Sequence, residues 1–135
     1  MKANELMPGD FVTFKDSLKE GEVIPIQVVS IDLYDNCFAR IGEDAIRLKI
    51  AACDDIALED LCGIPLTEEI LRRNIPEPRS SEDVFWFWDD RKSDKENWYN
   101  IRIERDDVNL DVDIRFVHEL QHVLRLCRIN KEFEL

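Results

Sequence analysis

The sequence predicts an α+β fold: a small curled β-sheet or SH3-like barrel in the N-terminal part, then an antiparallel sheet covered by a C-terminal amphipathic helix. Three observations carry this. Short runs rich in β-branched and aromatic residues, separated by turn residues, crowd the first third of the chain. Between Val108 and Phe116 apolar and polar residues alternate without a break, the pattern of a strand with one buried face. From Val117 to Cys127 the apolar residues recur at helical spacing instead.

Pro8-Gly9 marks a turn, after which Asp10 to Lys15 reads as a strand carrying Phe11, Val12 and Phe14, and Lys19-Glu20-Gly21 reads as a hairpin loop. Glu22 to Leu33 follows as a strand in which Pro25 argues for an edge or a bulge, because proline cannot donate to a ladder. Asn36–Ile41 and Ala45–Ile50 read as two further strands. In Pro65 to Asn74, Thr67 is placed to cap a helix, Glu68 and Glu69 suit its positive end, and Arg72 and Arg73 suit its negative end. Pro76 and Pro78 stop that helix.

Val84 to Trp88 reads as an aromatic strand and Trp98 to Arg105 as its return, with Tyr99, Ile101 and Ile103 on one face. In the strand Val108 to Phe116 the even-numbered side chains are expected inside, with Asp111 and Asp113 outside. A single domain over 1–135 is expected, with subregions 1–74 and 82–135 joined by a linker at 75–81.

Composition bounds the function. The 135 residues are 44% hydrophobic and 36% charged, a globular balance, and 30 acidic against 18 basic side chains give a net charge of −12. Such a surface repels phosphate backbones, so direct nucleic-acid binding is disfavoured; an acidic decoy that mimics DNA is a weak alternative resting on charge alone. Cys37, Cys53, Cys62 and Cys127 are spaced by 16, 9 and 65 residues, which matches no zinc ribbon or finger. They read as reduced thiols. The N-terminal residues lack the apolar core of a signal peptide and no run is long enough to cross a bilayer, so a cytoplasmic location and no membrane partner are expected.

One motif carries chemistry. His118-Glu119-Leu120-Gln121-His122 has the H-E-x-x-H spacing that lets two imidazoles on one helix ligate zinc while the glutamate acts on a metal-bound water. Against it, a helical wheel at about 100° per residue gathers Leu120, Val123, Leu124, Leu126 and Cys127 on one side and His118, His122 and Arg125 on the other, toward solvent. The remaining ligand must be a carboxylate, and the candidates after His122 are Glu132 and Glu134. No cofactor is therefore expected, zinc being the alternative.

The aromatic cluster Phe85, Trp86, Phe87, Trp88, Trp98 and Tyr99 reads as core plus a partly exposed patch. Trp86, Trp88 and Trp98 are the interaction candidates, since Trp is a preferred interface anchor. The four glycines are isolated and build no phosphate loop. Asp54-Asp55 and Asp106-Asp107 read as turn residues.

Asn4-Glu5-Leu6-Met7-Pro8-Gly9-Asp10, Ile64-Pro65-Leu66-Thr67-Glu68-Glu69-Ile70-Leu71 and Phe116-Val117-His118-Glu119-Leu120-Gln121 together resemble a family of short uncharacterised proteins encoded in bacterial genomes and their prophages, with a late V-H-x-L-Q helix. The resemblance spans nearly the whole chain and carries neither an activity nor a catalytic residue across. A prophage setting favours a small accessory, structural or host-interaction protein. The expected function is thus a protein-binding or self-associating module, with a small zinc-dependent hydrolase using Glu119, His118 and His122 as the alternative.

Overall fold

A computed structural model describes residues 1–32, 36–41, 56–75, 85–90, 98–105, 108–127 and 132–135. The chain divides into two compact units, Met1–Ile64 and Pro65–Leu135.

The first unit is a five-stranded antiparallel sheet in the order β4-β3-β2-β1-β5, built from β1 (Phe11–Phe14), β2 (Ile26–Ile31), β3 (Asn36–Ile41), β4 (Ile56–Ala57) and β5 (Leu61–Gly63). Among the described residues it is an open sheet ending on β4 and β5, so that of the two expected forms, sheet or SH3-like barrel, it is the sheet. The Met7-Pro8-Gly9-Asp10 turn sets its start. Gly9 has φ 92°, the Asp10 amide donates to the Met7 carbonyl at 3.1 Å, and the Met7 amide donates to the Asp10 carboxylate at 2.7 Å. Gly9 then donates to the Val28 carbonyl and Val28 to the Asp10 carbonyl, which locks the turn against β2.

The expected loop Lys19-Glu20-Gly21 does lie between the antiparallel neighbours β1 and β2, but a one-turn helix, α1 (Lys15–Lys19), runs into it and is closed there by a Schellman motif: Gly21 donates to Leu18, Glu22 donates to Ser17, and Gly21 sits at φ 81°. Pro25 stands just ahead of β2. The strand is interior, paired with both β1 and β3, and the irregularity falls four residues later, between Val28 and Ser30. The core of this unit gathers Leu6, Val12, Ile26, Val28, Ile56, Leu58 and Leu61, each fully buried branched side chain contributing on the order of 1.5–3 kcal/mol. The expected strand Ala45–Ile50 lies outside the described residues.

In the second unit α2 (Glu68–Asn74) starts where the sequence placed its cap: Thr67 Oγ1 accepts from the Ile70 amide at 3.3 Å. The Glu68–Arg72 and Glu69–Arg73 pairs both form. Residues ahead of α2 are tied to the far end of the chain, since Pro65 bridges Phe116 and Leu66 donates to the Arg115 carbonyl at 2.9 Å.

A three-stranded antiparallel sheet follows in the order β6-β7-β8, with β6 (Phe85–Asp90), β7 (Tyr99–Arg105) and β8 (Val108–Ile114). Ile101, Ile103 and Ile114 are buried, while Arg102, Glu104, Asn109, Asp111 and Asp113 are exposed, as alternation predicts. Leu110 and Val112 are only half-buried: β8 is an outer strand of the three, so its apolar row is covered less completely than that of the central β7.

Helix α3 (Val117–Leu126) completes the unit. It buries Val117, His118, Leu120, Gln121, Val123 and Leu124, while Leu126 is 64% exposed. The inward arc is thus rotated from the one that hydropathy indicates: it runs through Val117 and Gln121 out to His118 and leaves Leu126 outside. No helix among the described residues is long and apolar enough to cross a membrane.

Candidate functional site

The site begins where β8 gives way to α3. Alternation along the extended chain puts Asp111, Asp113 and Arg115 on one face of the sheet, and the β7–β8 register, which pairs Tyr99 with Ile114, makes Trp98 the cross-strand neighbour of Arg115. The Arg115 guanidinium carbon lies 5.1 Å from the Trp98 ring centroid and 4.3 Å from that of Phe116. Both distances are within cation–π range. The His118 ring also stacks on Phe116, at 5.6 Å with an interplanar angle of 13°, and His122 meets His118 edge-on at 5.9 Å. Trp98, Arg115, Phe116, His118 and His122 form one continuous ladder of planar groups. Arg115 is exposed and Trp98, Phe116 and His122 are half-buried, whereas His118 is 5% exposed with its Nδ1 shut off from solvent.

Next to the ladder the same sheet face is polar. Asn100, 3% exposed, donates through Nδ2 to Asp111 Oδ1 at 2.6 Å and to Asp113 Oδ1 at 2.9 Å, and Arg102 Nε lies 3.5 Å from the other Asp111 oxygen. Two exposed carboxylates that would repel each other are thereby tied to one buried amide, a charge-assisted arrangement that holds the face in shape.

Glu119 has a different occupation from the one its motif suggests. Its Oε2 accepts from the Arg115 amide at 2.6 Å and the Phe116 amide at 3.0 Å, so the carboxylate turns back over the start of α3. It is the N3 half of a capping box, satisfying amides that the helix leaves open. Phe116, the N-cap residue, has no side-chain oxygen to contribute the other half. His118 and His122 do come together, but His118 is an inward residue and not the solvent-facing one that the wheel places opposite the apolar arc. Glu132 and Glu134 are exposed. Among the described residues no three of His, Cys, Asp and Glu stand together so as to hold a metal ion.

The other aromatic candidates fall on β6, where Trp86 stands opposite Ile103 and Trp88 opposite Ile101, the row whose β7 members are buried; Phe85 and Phe87 stand opposite Glu104 and Arg102, the polar row. Cys62 and Cys127 are free thiols, Cys37 stands in β3, and Cys53 lies outside the described residues. Burial pushes the Cys62 thiol up, against the opposing pull of Lys15 and the N-terminal amine, which leaves it protonated and a poor nucleophile near neutrality.

Sequence reasoning found Trp98 but missed Arg115, Phe116 and Asn100. The signal for Arg115 lay in the strand register: once Tyr99 pairs with Ile114, Trp98 and Arg115 must be neighbours. Compared with protein-family models, curated proteins and solved structures, the chain matches none.

Proposed function

We propose that the chain is a small accessory protein of the bacterial or prophage kind that works by binding another protein, with Trp98, Arg115 and Phe116 of the second unit as its anchor. The observation that carries this reading is the Arg115 guanidinium lying over two aromatic rings, 4.3 and 5.1 Å from their centroids. Trp and Arg are the residues most enriched among interface hot spots. Side chains already ordered before contact also lose less entropy on binding. The exposed carboxylates of Asp111 and Asp113 flank the anchor and favour a partner segment that brings a basic residue. The cytoplasm suits free thiols and an acidic surface of this kind. The zinc-hydrolase alternative asks Glu119 to act on a metal-bound water, a role that its two backbone hydrogen bonds oppose.

The test is cross-linking and affinity capture with the wild-type chain and with Trp98→Ala and Arg115→Ala, each checked for unchanged circular dichroism. One protein captured by the wild type and lost from both variants is the expected result. Capture that neither substitution changes would overturn the assignment.

A further inference from the structure

Residues 132–135 occupy a seat on α2 that is built for a stretch of extended backbone. Asn74, 4% exposed, donates through Nδ2 to the Glu134 carbonyl at 2.6 Å and accepts at Oδ1 from the Glu134 amide at 2.8 Å. Its amide thus stands in for one rung of an antiparallel ladder. A third bond, from Nδ2 to the Ile70 carbonyl at 2.8 Å, fixes the amide's orientation, and Arg73 Nη1 donates to the Leu135 carbonyl at 2.9 Å. Every one of these bonds to the segment goes to its backbone. Side chains alternate around them: Glu132 and Glu134 are exposed, Phe133 and Leu135 half-buried. The seat therefore reads an extended strand with apolar residues at alternate positions.

We propose that this seat also accepts residues 132–135 of a second copy of the chain, which exchange for the chain's own segment. The occupant is identified by complementarity: a second copy carries the same Phe133-Glu134-Leu135 and makes the same bonds, so exchange costs no contact. Only residues 128–131 separate the segment from Cys127, and a connection that short gives the resident copy an effective concentration of about a millimolar. The closed monomer wins at low protein concentration and the exchanged dimer gains as that concentration is approached. Trp98 and Arg115 take no part in the seat, so it stands independently of the anchor proposed above.

The test uses a fluorescent peptide of residues 128–135 and the full chain. In Phe133→Ala the resident segment loses its aromatic hold, so the peptide, which keeps Phe133, should bind about tenfold more tightly than to the wild type. Adding Asn74→Ala, or Arg73→Ala should the first variant not fold, should abolish that binding, while Trp98→Ala leaves it intact. Sedimentation of the wild type should show a dimer at millimolar concentration that excess peptide dissolves. A folded Phe133→Ala chain that binds the peptide no better than the wild type would overturn the proposal, as would peptide binding by a chain that stays monomeric at every concentration.

Discussion

Glu119 shows how one carboxylate can satisfy a catalytic pattern and serve a structural end. Its two backbone hydrogen bonds, from Arg115 and Phe116, close the start of α3, so the cap and the ladder share their residues. Removing a capping side chain typically costs about 1 kcal/mol, and Glu119→Ala is expected to lower the stability by that order, read as a lower urea midpoint at unchanged m. The two histidines should then separate. His118→Ala deletes a buried ring stacked on Phe116 and is expected to cost about 1–3 kcal/mol, whereas His122→Ala, half-buried at the end of the ladder, should cost less than half as much. Equal losses for the two, or stoichiometric zinc released by both variants, would return the pair to a metal site.

At the scale of elements, burial depends on where a strand stands in its sheet, which alternation alone does not record. β7 lies between two neighbours, and its Ile101 and Ile103 are fully buried; β8 has one neighbour and leaves Val112 half-exposed. A charge at the buried centre has no water and no partner, so Ile103→Asp is expected to abolish cooperative unfolding of the second unit. Val112→Asp should leave it folded and measurably weaker, with the difference read by circular dichroism across a urea series. The same distinction explains which elements were legible. The ends of α2 could be read from Thr67, the two Glu–Arg pairs and the prolines at 76 and 78, because caps, i,i+4 pairs and helix stops are local signals. The run Ile56–Gly63 could not, since two- and three-residue strands around a 3-10 turn at Leu58–Asp60 are too short to show a period. The inward turn of His118 was hidden for another reason. Hydropathy weighs Leu126 above histidine, while the arc that is buried runs through Val117, Gln121 and His118. Asn74 pairs with a residue 60 positions away, and no local pattern announces such a contact.

For the whole molecule the governing quantity is charge. Residues 1–64 carry 13 acidic and 6 basic side chains and residues 65–135 carry 17 and 12, so both units have an acidic excess and the net −12 belongs to neither alone. Against this self-repulsion stand exposed ion pairs such as Glu68–Arg72, Glu69–Arg73 and Asp111–Arg102. Exposed pairs contribute about 0.2–1 kcal/mol each, and salt weakens them too. The balance favours repulsion, because a few short-range pairs are offset by many like charges that interact until the screening length falls to roughly 10 Å at 0.1 M salt. Raising sodium chloride from a few millimolar to that range is therefore expected to raise the thermal midpoint. Chloride is the suitable anion here, since sulfate would also strengthen apolar burial and blur the cause. A midpoint that falls with added sodium chloride would mean that the local pairs outweigh the acidic excess in holding the fold, while the net −12 would still act on charged partners from outside.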